Sequence, residues 1–459
     1  VKLADEECVA MLTWSAPPQE LENNIGARLS GARVLRIPTT EYGRALMGKG
    51  VRVGVWDANV GDHVDYGKRV HRLEFESAIA SSGAHGMHVT GTIAGSGLLD
   101  ERAKGMASDV EVWTSNFNKN SNQKNEATEM LEVFEQHNIS LTSNSYGAQM
   151  KSLCRFQHLL TYTLFGKPEL DYLAYAVPEL THVFAAGNNQ GQCNLIYGST
   201  TKFSKNVITV GAVDSRGKAT SFTSYGPLKD GRMYPTVAAF GNNVYSTVDE
   251  QTYDEMSGTS MACPMVTGHL ALLTQRFKQL NGGALPYNYF LKALIANTAT
   301  DAGRPGPDYQ YGYGIVNAVA AAEVLEHNWH KLDELTDGQT RDFQISVPAG
   351  VKELRVMLCW NDPVVMKNYA VGECPLVNDI DLTLTTPSGK NLFPWTLTPA
   401  LPEENAVQDK KNAYDPLEQV SVSAPDAGDY VVHISGSVKQ GDKQPFAIVW
   451  YFDTKTPEF

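Results

Sequence analysis

No run of about 18 uncharged apolar residues occurs in this chain, so no segment is built to cross a bilayer as a helix. Basic residues are in deficit. Against 38 Lys and Arg stand 51 Asp and Glu, a formal charge of −13, and the clustered positive field that phosphate backbones require is missing. Nucleic acid is therefore not an expected partner, and the acidic balance is compatible with a soluble protein that resists self-association. Cysteine is sparse, six in 459 residues, and no Cys-x-x-Cys pair occurs, which argues against a zinc ribbon or a thioredoxin-type redox motif. Internal repeats and low-complexity tracts are lacking too. The opening Val1-Lys2-Leu3 shows no charged start followed by an apolar stretch, so no signal peptide is visible.

What is present is ordinary globular material, 42% hydrophobic and 19% charged. Residues 1–46 read as an N-terminal arm, with Asp5-Glu6-Glu7 and Pro17-Pro18 at its start and a short helix expected over Glu20–Leu29. From Val51 to about Leu325, short β-branched runs alternate with helical stretches. The runs are Val51–Trp56, Val110–Trp113, Ile139–Ser143, His182–Ala186 and Val207–Val213. Helices are expected at Met87–Ala94, Asn125–His137, Glu169–Val177, Met261–Leu280 and Tyr289–Thr298. Strands that stay apolar without alternating, separated by helices, mean an α/β, doubly wound parallel sheet with helices on both faces. Ligands on such sheets sit beyond the carboxyl ends of the strands, where Asp57 and Asn188 fall.

After an alanine-rich helix at Val316–Glu326, the segments His327–His330 and Asp333–Gly338 read as a linker, closing a catalytic domain of 47–332. The period then changes to two: Leu354, Val356, Leu358 and Trp360 alternate with Glu353, Arg355 and Met357, and Ile380, Leu382 and Leu384 with Asp379, Asp381 and Thr383. Half-buried antiparallel strands follow from that pattern, giving a jelly-roll-like β-sandwich over 338–459. Cys154 with Cys193, and Cys359 with Cys374, are spaced to staple loops, and free buried thiols fit all six cysteines (Cys8 and Cys263 being the others) equally well.

Three stretches fit together as one device. Val51–Asp57 is an apolar strand ending in a carboxylate. His85-Gly86-Met87-His88-Val89-Thr90-Gly91-Thr92 puts a histidine where a turn enters a helix, and Gly258-Thr259-Ser260-Met261-Ala262-Cys263-Pro264 puts a serine at the head of a long apolar helix. A serine hydroxyl needs a base to take its proton, and that base needs a third group to fix its tautomer. Ser260 is the candidate nucleophile, His85 the base and Asp57 the orienter, in the chain order Asp, His, Ser. Asn188, ending Val183–Asn188 after a glycine, can offer a side-chain N–H to a developing oxyanion beside the Ser260 N–H.

Together Gly54–Asp57, His85–Thr92, Ala185–Asn188 and Gly258–Pro264 resemble the four signature blocks of the subtilisin-like serine proteases. The likeness extends over Ile208–Asp214, Ser221–Pro227 and Gly312–Asn317, about Gly48 to Ala322 in all. It implies a serine endopeptidase acting on proteins or peptides through an acyl-enzyme. It implies no organic cofactor, structural calcium somewhere in the chain, and a secreted, cell-surface or periplasmic location; the oligomeric state is not legible in the sequence, a monomer being the favoured one. It also implies a substrate edge at Ser143, Ser145, Tyr146 and Gly147, an opposite wall at Trp113, Thr114 and Ser115, and a contribution from Gly187; the pocket floor is not placed by the sequence, and the 192–205 segment is a candidate contributor to it. The last domain resembles the sandwich that follows the catalytic domain in some large bacterial members.

Other readings compete. His85 and His88, three apart on a helix, have zinc-ligand spacing, but no His-Glu-x-x-His arrangement accompanies them. Asp362, Asp379, Asp381, Asp415 and Glu418 offer hard oxygens for Ca²⁺, or else a solvated acidic face. Ala58-Asn59 follows Asp57 where the family has a small hydroxyl residue and glycine. That departure motivates the alternative of a catalytically idle binding or assembly protein.

Overall fold

Seven apolar runs pair side by side and all in parallel, in the order β2-β3-β1-β4-β5-β6-β7, in the computed structural model. They are β1 (Arg52–Asp57), β2 (Val70–Arg72), β3 (Glu111–Asn116), β4 (Leu141–Asn144), β5 (Thr181–Ala185), β6 (Ile208–Val213) and β7 (Val237–Phe240), and β8 (Val244–Asp249) with β9 (Thr252–Met256) forms a separate antiparallel pair. The structure describes residues 22–38, 43–73, 83–117, 125–148, 150–159, 161–162, 166–198, 200, 202 and 204–454. Glu20, Asp5–Glu7, Pro17-Pro18 and Cys8 lie outside them.

Both faces of the sheet are covered, and for that reason its strands read as unbroken hydrophobic runs: every residue of β5 and β6 is buried. On one face lie the helices Gly83–Ala94 and Thr259–Leu280, whose Val89, Ile93, Met265, Val266, Leu270 and Leu273 share a core with Val53, Val55, Leu141 and Val183. On the other face Glu126–His137 and Pro168–Ala176 set Met130, Val133, Leu170 and Leu173 against Trp56, Trp113 and Phe184. Asn125 caps the first of these, its side chain accepting the Ala127 N–H at 2.8 Å, and Asn138 closes it in the left-handed conformation.

From β1 the chain builds outward first to one side and later to the other. The order therefore reverses between β1 and β4, and a crevice opens there beyond the strand ends. Asp57 ends β1, Ser145 follows β4 and Asn188 lies three residues past β5.

Residues 22–36 form two helices, Glu22–Leu29 and Ala32–Arg36, that bury Ala27, Ala32 and Leu35 in the main core. Ser30 Oγ lies 2.7 Å from His269 Nε2 on the long helix. This part of the expected arm is packed wall, held by the same burial that holds the sheet.

The expected linker is a correction. His330–Leu335 is strand β10, the edge partner of β17 (Gln444–Asp453). Only Leu335 of its side chains is fully buried, so its alternation is too weak to be read as a strand. The remaining strands are β11 (Thr340–Val347), β12 (Glu353–Trp360), β13 (Asp379–Thr385), β14 (Asn391–Leu392), β15 (Leu417–Ser423) and β16 (Gly428–Ser437). Two antiparallel sheets result, β10-β17-β12-β15 and β11-β16-β13-β14, closed over Leu354, Val356, Leu358, Trp360, Ile380, Leu382 and Leu384. The outward face of the first sheet is not solvated. Met357 and Cys359 on β12, with Ala447 and Val449 on β17, join the core of the α/β layer against the helix Asn288–Asn297.

Cys154 and Cys193 are disulfide-bonded with their Cα atoms 5.0 Å apart. The second expected staple does not form: Cys359 is a free thiol buried between the layers, and the free Cys374 sits beside the Tyr414 carbonyl. Cys263 is free and buried in the serine helix.

Candidate active site

Asp57 is 1% exposed at the end of β1, and its Oδ1 accepts the Ala58 N–H at 2.8 Å and the His85 ring Nδ1 at 2.6 Å. His85 stands in the first turn of its helix, next to Gly86. A Cβ on Gly86 would lie 2.4 Å from the Ala58 carbonyl oxygen, so only glycine lets this helix abut the turn after β1. The hydrogen bond to a carboxylate places the proton on Nδ1 and leaves Nε2 bare. Burial alone lowers the His85 pKa, but the hydrogen bond and charge of Asp57 outweigh it and raise the pKa above 6.5.

Ser260 opens the helix Thr259–Leu280, where unpaired backbone N–H groups favour negative charge. Its hydroxyl donates to the Ser145 carbonyl at 3.1 Å, and the Ser145 hydroxyl donates back to the Ser260 carbonyl at 2.9 Å. No hydrogen bond joins Ser260 to His85. Both line one cleft of about 390 Å³, together with Asp57, Asn188 and Thr259.

The Asn188 amide is oriented by its neighbours. Its Oδ1 accepts both the backbone N–H and the hydroxyl of Thr259, each at 2.9 Å, so the amide nitrogen must be the other atom. The Thr259 hydroxyl is in turn held by the Gly187 N–H at 2.9 Å. A Cβ on Gly258 would come within 3.0 Å of Asn188 Nδ2, so glycine keeps the space before that nitrogen open.

Of the expected substrate residues, Ser145, Tyr146, Gly147 and Gly187 line the cleft, and Ser143, Trp113, Thr114 and Ser115 do not. Ser143 is fully buried against Cys263. Trp113 stacks between His71 and His137, Thr114 is 5% exposed, and Ser115 donates to Glu129. The reason is positional: residues inside a parallel strand are covered on both sides, and only those at its last position or past it reach the crevice. Phe117, the first residue after β3, does so and stacks on Tyr146 with centroids 4.6 Å apart. Sequence reasoning also missed Thr259, Ala148 and Asn189 as lining residues; Lys202 falls within the expected floor segment.

His88 is a fully buried packing histidine bonded to the Val244 carbonyl at 2.7 Å, and burial takes its pKa down to about 4. Among the described residues no group of three or more His, Cys, Asp or Glu side chains is arranged to hold a metal ion. The acidic residues expected to hold calcium form no ligand cage, although Asp379, Asp381 and Glu418 lie close enough to act on one another electrostatically. Asp381 is engaged by Lys411 at 2.7 Å, Asp362 is bonded to Lys205, and Glu418 lies not in a loop but fully buried on β15, accepting the Leu382 N–H at 2.7 Å. These side chains do not fit a calcium site.

A family model described as the subtilase family matches residues 48–314. Subtilisin DY of Bacillus licheniformis is 31% identical over 286 residues, covering 60% of this chain and 92% of that protein. Subtilisin Savinase of Lederbergia lenta is 29% identical over 288 residues, covering 61% of this chain and 93% of that protein. The alkaline protease of Alkalihalobacillus alcalophilus is 29% identical over 288 residues, and there the match spans 61% of this chain and 66% of the relative. The family match ends before the sandwich begins. With the parallel sheet and the Asp57–His85 pair already in place, the chain belongs to the subtilase family of peptidases.

Proposed function

We propose that the chain is a serine endopeptidase in which Ser260 attacks the scissile carbonyl, His85 moves the proton, Asp57 holds the imidazole and Asn188 donates to the oxyanion. The observation that carries this reading is the 2.6 Å bond from a buried carboxylate to His85 Nδ1 at the cleft that Ser260 and Asn188 share. The Ser260 hydroxyl must turn from the Ser145 carbonyl toward His85 Nε2, a single side-chain rotation of the kind seen when loosely aligned empty sites tighten around substrate. Bare Nε2 then takes the hydroxyl proton as the C–O bond forms, and Asp57 stabilises the resulting imidazolium. The tetrahedral oxygen receives the Ser260 N–H and the Asn188 Nδ2–H. Collapse sends the proton from His85 to the leaving amine, and water repeats the steps in reverse to free the acid.

A fluorophosphonate probe should label Ser260, as mapped by mass spectrometry, and the protein should cut a peptide library. Neither labelling nor cleavage at any pH would establish the idle-binding alternative instead. The Cys154–Cys193 disulfide supports an oxidising compartment, hence a secreted, cell-surface or periplasmic enzyme acting on proteins or peptides.

Asn188→Ala should lower kcat by about 10²–10³ with KM little changed, the size known for a side-chain oxyanion donor in subtilisin, to which this chain is related. An unchanged kcat would remove Asn188 from the mechanism.

The pH dependence follows from His85. The base works only when neutral, and its pKa is raised above 6.5, so kcat/KM should fall as pH drops through a value above 6.5. Asp57→Asn removes the countercharge. It should move that acid limb to lower pH while cutting kcat by about 10⁴. An acid limb that stays in place in the variant would show that another group titrates.

A further inference from the structure

Lys202 lies in the same cleft as Ser260 and His85, and the chemistry described so far does not use it. Its ammonium donates to the Ala185 carbonyl, at the end of β5, and sits 5.8 Å from the Phe184 ring centroid. An ammonium carries three donors, and this is its one protein partner among the described residues. Glu126, the carboxylate that acts on Lys202 electrostatically, is engaged by a different lysine, Lys167, which lies over the same Phe184 ring. Among the described residues that carboxylate is taken by Lys167, and Lys202 has no carboxylate of its own. Withdrawal from water takes the Lys202 pKa down to about 8, as expected for an ammonium short of a countercharge. The walls leading to it, Tyr146 with Gly147 on one side and Ala185 with Ala186 on the other, suit an aliphatic stem.

We propose that Lys202 is the specificity residue of this peptidase, and that the enzyme prefers substrates whose residue on the acyl side of the scissile bond is acidic. A glutamate or aspartate side chain running between those walls brings the missing negative charge to a partly desolvated cation that has donors to spare. A neutral side chain there leaves the cation half-buried without a countercharge, the kind of mismatch by which polar-built sites discriminate. The assignment rests on the peptidase reading above.

The test uses the full chain and fluorogenic peptides identical except at that position, carrying Glu, Asp, Gln, Leu or Lys. In kcat/KM, Glu should exceed Gln by about 10–100-fold, in line with a charge-assisted hydrogen bond in a shielded site. Lys202→Met should bring the Glu-to-Gln ratio to one or below, Lys202→Arg should keep it well above one, and Lys202→Glu should favour the Lys peptide. A wild-type enzyme that cuts Gln or Leu peptides as well as Glu overturns the assignment, whether or not the variants fold. A second measurement separates this from failure of the peptidase reading. Binding of amide-capped Glu and Gln peptides to Ser260→Ala, followed by fluorescence anisotropy, needs no turnover. Tighter binding of the Glu peptide supports Lys202 even if no peptide is hydrolysed, and equal binding overturns it.

Discussion

Ser260→Ala should lose about six orders of magnitude in kcat, the loss known for the nucleophile of subtilisin, while the melting temperature stays within a degree or so of wild type. Stability should hold because the Ser260 hydroxyl makes a single bond, to the Ser145 carbonyl at 3.1 Å, at a part-exposed position where water can replace it. The helix it opens is fixed by other groups: Met261, Ala262, Cys263 and Met265 are at most 1% exposed in the core. Residual hydrolysis above the uncatalysed rate should persist, since the Asn188 amide and the cleft remain. A variant that keeps more than about a hundredth of the activity would mean that Ser260 is not the nucleophile, because no neighbouring group could supply so much of its effect.

The catalytic layer was legible because its physics is local. A parallel sheet buried on both faces demands unbroken apolar runs, so β1, β4, β5 and β6 fall within two residues of the runs read from sequence, and β3 ends three residues beyond its run. Asp57, His85 and Ser260 stand at element ends that sequence also marks. The sandwich was legible in period but not in docking. Met357 and Cys359 occupy the face that alternation assigns to solvent, and their apolar character was the one available sign that a second surface covers them. β10 escaped notice because an edge strand with one fully buried side chain carries almost no hydrophobic pattern. Trp113 to Ser115 were misplaced because resemblance located the right strand but not the point at which it leaves the sheet. A lysine in a Thr-Lys-Phe-Ser-Lys loop reads as solvated, and only the fold turns Lys202 into the cleft and buries Lys205.

Lys205 supports the second large effect, on stability. Its ammonium and the Asp362 carboxylate are both 0% exposed where the catalytic layer meets the sandwich, and it also donates to the Pro363 and Pro375 carbonyls at 2.6 and 2.9 Å. Asn206 beside it bonds the Asp362 carbonyl at 2.9 Å and the Asp171 carbonyl at 3.0 Å, so this corner is a closed polar network inside an apolar seam. Lys205→Met leaves Asp362 buried with its countercharge gone and should cost about 3–5 kcal/mol, read from urea unfolding. Lys205→Met combined with Asp362→Leu removes both charges and should lose clearly less than the two single changes summed, because each single change strands the other ion. A single-variant loss below about 1 kcal/mol would mean that the pair behaves as a solvated one and that apolar contact alone docks the sandwich. The same segment runs from Lys202 in the cleft to Lys205 in the seam. Lys205→Met should therefore also weaken discrimination between Glu and Gln peptides before global unfolding, because Lys205, anchored in the seam, stands three positions from Lys202 in sequence.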